Sequence, residues 1–111
     1  MRQRRSGTII NISSTAGIEA KPSRSMYSAS KFALEAFSEA LYHEMKPFGV
    51  RILLVEPGAF RTKFAEGAVV PAKGLGDDYK GTVTGAVLEA VTNGLVGDGA
   101  PVRFSSSHYV F

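Results

Sequence analysis

The chain has 111 residues, no cysteine, and 13 basic against 10 acidic residues, for a formal net charge of +3. This length supports at most one modest domain with a hydrophobic core. The absence of cysteine excludes a disulfide framework and a thiolate metal site, and is compatible with the cytoplasm. No apolar run approaches the roughly 18 residues of a membrane span, and no signal peptide follows the first arginines. We therefore expect a cytoplasmic protein without a membrane partner.

Residues 1–6 form a basic start with Arg2, Arg4 and Arg5, and the rest of the chain is close to neutral. Such a segment can contact nucleic acid or acidic lipid, or extend into solvent as a tail, and we expect the tail. Because no interleaved aromatic and basic residues follow it, we expect no nucleic-acid partner. His43 and His108 are isolated and no metal-ligand spacing occurs, so we expect no metal site.

The first predicted element is a buried strand over 8–13, because "TIINIS" is rich in β-branched residues. Residues 14–24 carry Gly, Pro and Ser and predict a loop. From Ser25, apolar residues recur at steps of three and four, which predicts a helix over 25–46 with one wide apolar face. Ser23 or Ser25 can cap its start, and Pro47 with Gly49 ends it. The apolar face comprises Ala29, Phe32, Ala33, Ala36, Phe37, Ala40, Leu41 and Met45.

A second buried strand is predicted over 50–56, where "VRILLVE" precedes Pro57-Gly58. A strand, a long helix and a strand without a hairpin signal indicate a right-handed βαβ crossover with parallel strands. The fold class is therefore α/β, with the helix packed on one face of the sheet.

The second half of the chain gives a weaker signal. Residues 63–80 contain several Gly and Pro without a sustained period and predict a long loop. The segment 79–95 has helical character, with Val83, Val87, Leu88 and Val91 on one side and Gly94 near its end. Residues 101–104 form a candidate short strand, and the remaining tail matches no pattern.

Tyr27 and Lys31 carry the first chemical signal. Residues four apart lie on the same side of a helix, and an ammonium beside a phenol stabilises the phenolate. Ser14 follows the first strand, at the carboxyl edge where ligands bind in open α/β sheets. A hydroxyl there can hold a carbonyl oxygen while the tyrosine transfers its proton, with hydride supplied by a cofactor. A tyrosine and a lysine at this spacing are also typical of a partly buried phenol beside a solvated amine.

Three segments at this order and spacing, "GTIINISSTAG", "YSASK" and "VRILLVEPGAFRT", resemble the second half of the short-chain dehydrogenase/reductase family. The resemblance covers residue 7 to about residue 64, with 7–62 as the core that is most similar to the family. It implies part of a Rossmann-like, doubly wound parallel sheet that is incomplete at its N-terminal side. It also implies hydride transfer between NAD or NADP and an alcohol or ketone substrate.

The resemblance assigns the site residues one by one. The catalytic residues are Ser14, Tyr27 and Lys31, with Tyr27 as the acid and base. Tyr27 and Lys31 also contact the cofactor, and Lys31 hydrogen-bonds the nicotinamide ribose. The nicotinamide end is held by Pro57, Gly58 and Thr62. In the family, helix 25–46 pairs with the same helix of a second subunit, so we expect a homo-oligomer.

The chain departs from the family in its phosphate-binding part, because no G-x-x-x-G-x-G turn occurs in it. Residues 1–111 therefore predict a single partial domain, and Met1 resembles an internal methionine of a longer protein. Residues 99–111 do not resemble the family's ending. Two hypotheses stay open. One is the catalytic half of an oxidoreductase, with little activity on its own. The other is a truncated, non-catalytic fragment that associates through helix 25–46.

Overall fold

The computed structural model describes residues 1–58, 73–74 and 76–92. The described residues fall in two compact units, one formed by Met1–Gly58 and the other within Ala59–Val102. The prediction of one partial domain over 1–111 stays a prediction. The first unit contains strand β1 (Gly7–Ile12), a 3-10 turn (Thr15–Gly17), helix α1 (Ser25–Met45), a 3-10 turn (Lys46–Phe48) and strand β2 (Val50–Val55).

Strands β1 and β2 are hydrogen-bonded neighbours and run parallel, with Gly7 opposite Val50 and Ile12 opposite Val55. Because α1 connects them, the predicted β-α-β arrangement with parallel strands is confirmed. Each strand lies within one residue of its predicted bounds at either end. This is the α/β architecture that the sequence predicts, in its smallest form, a two-stranded sheet with one long helix.

The start of α1 differs from the prediction. The helix begins at Ser25 after Arg24, which makes no side-chain capping hydrogen bond. Ser23 lies in the left-handed region at φ 63°, within a turn that Arg24 N closes by donating to Lys21 O. Neither serine occupies the capping position, so the prediction that Ser23 or Ser25 caps the helix was wrong.

The end of α1 follows the prediction. The chain passes from Met45 into the 3-10 turn that contains Pro47, and Gly49 closes this turn at φ 66°. A Cβ on Gly49 would lie 2.6 Å from the backbone oxygen of Arg5. Glycine therefore suits this position for two reasons, the left-handed backbone and the close approach of another chain segment.

The basic start packs against this same turn. Arg5 Nη1 donates to Pro47 O at 2.8 Å, and its guanidinium lies 5.5 Å from the centre of the Phe48 ring. Residues 1–6 are exposed, as expected of a solvated segment, while the backbone carbonyl and the aromatic ring hold the side chain of Arg5.

The hydrophobic core forms where the C-terminal half of α1 covers the sheet. Tyr42 on α1 and Val50 and Ile52 on β2 are buried together, and half-buried side chains surround them. Most of the predicted apolar face is on the exposed side of α1, where Phe32 is 43% and Phe37 is 56% exposed. The buried side carries Ser28, Ser38 and Tyr42 instead. The opposite face of the sheet exposes Ile10, Ile12 and Leu53.

The second unit contains a 3-10 turn at Asp77–Tyr79 and helix α2 at Val83–Thr92. The helix lies within the predicted helical segment 79–95, and Val87 and Leu88 are half-buried while Val83 is exposed. Of the helices in the described part of the chain, none combines the length and the hydropathy needed to cross a membrane. Thr62, most of the predicted loop 63–80, the candidate strand 101–104 and residues 99–111 lie outside the described residues.

Candidate active site

Ser14 stands where β1 ends. The backbone of Ser14 is extended, and Ser14 Oγ accepts a hydrogen bond from Ala16 N at 3.2 Å, which caps the turn Thr15–Gly17. One residue earlier, Ser13 N donates to Val55 O at 2.7 Å and continues the ladder to β2. Because the backbone amide uses only an oxygen lone pair, the hydroxyl proton of the half-buried Ser14 remains a donor for another oxygen.

Tyr27 and Lys31 occupy the first two turns of α1 and are half-buried. Lys31 Nζ lies 5.7 Å from the centre of the Tyr27 ring and donates to Ile12 O at 2.9 Å. The lysine therefore joins the start of the helix to the last residue of β1, two positions before Ser14. The structure thus brings the predicted pair together at the carboxyl end of the sheet.

The Pro57-Gly58 turn lies at the same end. Thr15 N donates to Pro57 O at 3.2 Å, so the residue that follows Ser14 contacts the segment that follows β2. A Cβ built on Gly58 meets no atom within 4 Å, which leaves room beside the backbone of this turn. Thr62, the remaining predicted residue, lies outside the described part of the chain.

Four further residues support this end of the molecule, and the sequence reasoning assigned no role to them. A Cβ on Gly17 would lie 2.9 Å from Ser13 Oγ and 3.0 Å from Glu35 Oε1, so glycine lets the turn after Ser14 pack on α1. Asn11 Nδ2 donates to Ser38 Oγ at 2.9 Å and links β1 to α1. A polar residue inside an otherwise apolar strand was the signal available for Asn11. Ser38 and Glu35 could be found only once the buried side of α1 was known.

The residues present fit one end of a nicotinamide cofactor. An ammonium has three N–H donors, and Ile12 O takes one of those on Lys31, which leaves two for the hydroxyls of a ribose. The room beside Gly58 suits a flat ring that approaches the backbone closely. For the pyrophosphate, the sequence contains no G-x-x-x-G-x-G turn.

Comparisons with known proteins show the family of the chain. The model of the short chain dehydrogenase family matches residues 1–70. Oxidoreductase claN of Passalora fulva is 48% identical over 88 residues, which are 79% of this chain and 39% of that protein. The NADPH-dependent 3-dehydrocapnine reductase of Ornithobacterium rhinotracheale is 40% identical over 82 residues, which are 74% of this chain and 28% of that protein.

A solved structure is also similar. A short-chain dehydrogenase from Streptomyces avermitilis aligns with a TM-score of 0.64 and 40% identity over 82% of this chain and 33% of that one. The chain therefore spans between 28% and 39% of the length of these three proteins. Since the family model covers more than half of the chain and the solved structure shares its fold, the chain belongs to the short-chain dehydrogenase family of oxidoreductases.

Proposed function

We propose that the chain carries the catalytic part of an NAD(P)(H)-dependent oxidoreductase that interconverts an alcohol and a ketone. The observation that supports this most directly is the position of Lys31. Its Nζ lies near the Tyr27 ring and is hydrogen-bonded to the strand that leads to Ser14. This places an ammonium, a phenol and a hydroxyl at one end of the sheet, where α/β proteins bind their ligands.

Each of the three side chains has a distinct task in ketone reduction. Ser14 donates a hydrogen bond to the substrate carbonyl oxygen and orients it. Tyr27 gives its phenolic proton to that oxygen, and the charge of Lys31 stabilises the phenolate that remains. In alcohol oxidation the same proton returns to Tyr27. The nicotinamide cofactor, when bound, supplies or accepts the hydride at the substrate carbon.

The cofactor would be held at its nicotinamide and ribose end by Tyr27, Lys31, Pro57, Gly58 and Thr62. The free donors of Lys31 and the room beside Gly58 support this assignment. The name of the Ornithobacterium relative supports a nicotinamide cofactor, and both NAD and NADP fit the residues in this chain. No residue of this chain is assigned to the pyrophosphate, because the sequence contains no G-x-x-x-G-x-G turn.

A second candidate function follows from the exposed side of α1. Phe32 and Phe37 place aromatic surface in solvent on the side of the helix away from the buried residues. A fragment that associates through this surface, without binding cofactor, accounts for this exposure and for the short span relative to the family. In either case we propose a homo-oligomer formed through α1.

The test is a hybrid enzyme in which residues 1–58 of this chain replace the matching segment of the Streptomyces avermitilis dehydrogenase. With a substrate of the parent enzyme, we expect the hybrid to turn over and Tyr27→Phe to reduce turnover at least about 100-fold, because it removes only the phenolic proton donor. Tyr42→Phe makes the same chemical change in the core of the same helix and should retain turnover.

Two results would contradict the proposal. One is a folded hybrid that binds cofactor but shows no turnover while the parent enzyme does. The other is an equally small loss from Tyr27→Phe and Tyr42→Phe, which would make Tyr27 a structural residue. Circular dichroism of each variant separates these outcomes from a loss of fold.

A further inference from the structure

The contact between α1 and the sheet changes from apolar to polar along its length. At the C-terminal end of the helix, Tyr42 is buried against Val50 and Ile52, and the half-buried Ile9 packs against them. Strand side chains alternate between faces, so Asn11 and Ser13 follow Ile9 on the helix side, and both are polar. The polar end of this contact comprises Asn11 and Ser13 on the strand side and Ser28, Lys31, Glu35 and Ser38 on the helix.

Where the contact between α1 and the strand is polar, hydrogen bonds are needed to fix the position of the helix. The hydrophobic effect has no direction, whereas a hydrogen bond fixes both a distance and an angle. Side-chain hydrogen bonds connect α1 to β1 at two places along the strand. One runs from Asn11 Nδ2 to Ser38 Oγ at 2.9 Å, and the other from Lys31 Nζ to Ile12 O at 2.9 Å.

The Ser38 hydroxyl is held on both sides. It accepts from Asn11 and donates to Leu34 O at 2.7 Å, and Ser38 is only 3% exposed. A single oxygen therefore connects the side chain of the strand to the backbone of the helix. Any rotation or sliding of α1 on β1 breaks one of these bonds and leaves a buried polar group without its partner.

We propose that Asn11 and Ser38 are positioning residues, which fix the start of α1 against the end of β1. Asn11 lies three residues before Ser14 on one chain segment. Ser38 lies seven residues after Lys31, two turns along the same side of the helix. The pair therefore sets the separation between Ser14 and the helix that carries Tyr27 and Lys31. The inference rests on the proposed function for the tasks of those three residues, but the placement itself does not.

The experiment compares Ser38→Ala with Ser38→Thr in the full 111-residue chain by NMR. Ser30→Ala is the matched control, because Ser30 Oγ also donates to a backbone carbonyl of α1, that of Tyr27 at 2.7 Å, but from the exposed side. We measure contacts between the Lys31 side chain and the backbone at Ile12, together with amide hydrogen exchange along α1. Neither readout requires cofactor or turnover, so an inactive chain tests the placement equally well.

With Ser38→Ala we expect the Lys31 contacts at Ile12 to weaken. We also expect amide exchange over residues 29–37 to become about fivefold to tenfold faster, while residues 41–45 above the apolar core change less than about twofold. Ser38→Thr keeps the hydroxyl and should restore both readouts, and Ser30→Ala should leave them unchanged. Unaltered contacts in Ser38→Ala would overturn the proposal. Uniformly faster exchange along α1, or complete unfolding, would also overturn it, because the bond would then determine stability and not position.

Discussion

Lys31 Nζ lies 2.9 Å from Ile12 O and 5.7 Å from the centre of the Tyr27 ring. At the residue scale these two contacts distinguish Lys31 from a solvated surface lysine. The backbone oxygen fixes the position of the ammonium, and the neighbouring ring lies within the distance of a cation–π contact. The tasks proposed for Lys31 depend on these contacts, and they lead to different expectations for Lys31 and for Ser14.

In the hybrid enzyme described above, Lys31→Ala should reduce both turnover and cofactor affinity, because it removes the stabilising charge and the ribose donor together. Ser14→Ala should reduce turnover, with a smaller effect on cofactor affinity, since its hydroxyl contacts the substrate oxygen. Steady-state kinetics and cofactor titration of the two variants give the comparison. Equal, mild losses from both changes would indicate a structural role for the set.

Gly49 is a second position where a single residue matters, here for the stability of the fold. We expect Gly49→Ala to lower the free energy of unfolding by about 1–3 kcal/mol, since φ is 66° and the new Cβ would lie 2.6 Å from Arg5 O. Gly58→Ala is the control for stability, because its Cβ meets no atom within 4 Å. Urea unfolding monitored by circular dichroism measures both. A Gly49→Ala variant as stable as Gly58→Ala would contradict the backbone argument.

At the element scale, the two faces of the sheet differ in what covers them. Ile52 is 5% exposed beneath α1, whereas Ile10, on the neighbouring strand, is 56% exposed on the other face. We expect Ile52→Ala to cost about 2–5 kcal/mol of unfolding free energy and Ile10→Ala less than about 1 kcal/mol. Thermal unfolding of the two variants checks this. Similar losses would mean that another part of the molecule covers Ile10.

The βαβ unit shows how far the sequence could predict this structure. Two β-branched runs and a period of three to four were sufficient to predict β1, α1, β2 and their parallel pairing. The period also located an apolar stripe on α1, but it does not show whether that stripe packs on the sheet or lies on the exposed side of the helix. The buried side of α1 carries Ser28 and Ser38, and a hydrogen bond from Asn11 joins Ser38 to β1.

The candidate site was predictable for a similar reason and to a similar extent. The spacing of four residues predicts that Tyr27 and Lys31 lie on the same side of α1. The end of β1 can be predicted from the residues that follow it, and the βαβ order brings the start of α1 to that end of the strand. The contact of Asn11 with Ser38 and the close approach of Gly17 to Glu35 join residues that are distant in sequence, so both depend on the rotation of α1 about its axis. A periodicity argument contains no information on that rotation.

At the scale of the whole molecule, the chain spans 39% of Oxidoreductase claN and 33% of the solved Streptomyces enzyme. We expect the 111-residue chain alone to bind NAD(H) or NADP(H) more weakly than micromolar, because it lacks the Gly-rich turn that receives the pyrophosphate. Calorimetric titration with each cofactor tests this, with the hybrid enzyme as the positive control. Micromolar binding to the chain alone would show that the pyrophosphate turn is not needed.

Association is the remaining property of the whole molecule. The exposed side of α1 presents Phe32 and Phe37, and the sheet face opposite α1 presents further apolar side chains among the described residues. A two-fold contact between copies of α1 uses one patch on both partners, so every buried side chain counts twice. Full burial of one phenylalanine contributes about 1.5–3 kcal/mol, and since Phe37 is 56% exposed, two copies would contribute about 2–3 kcal/mol to a dimer. A glutamate at this position would add the cost of burying an unpaired charge.

We therefore expect the chain to form a dimer or a larger species, and Phe37→Glu to weaken the dimer at least about 100-fold, since 1.4 kcal/mol corresponds to a factor of ten. Ile18→Glu is the control, because Ile18 is similarly exposed, at 58%, but lies outside α1. Light scattering at several concentrations measures the mass of each variant. A monomer of 11.8 kDa that persists at high concentration would refute association. An equal effect of the two substitutions would refute the role of α1. The contact surface would then be the sheet, whose edges have no further strand among the described residues, and such an edge favours less specific association.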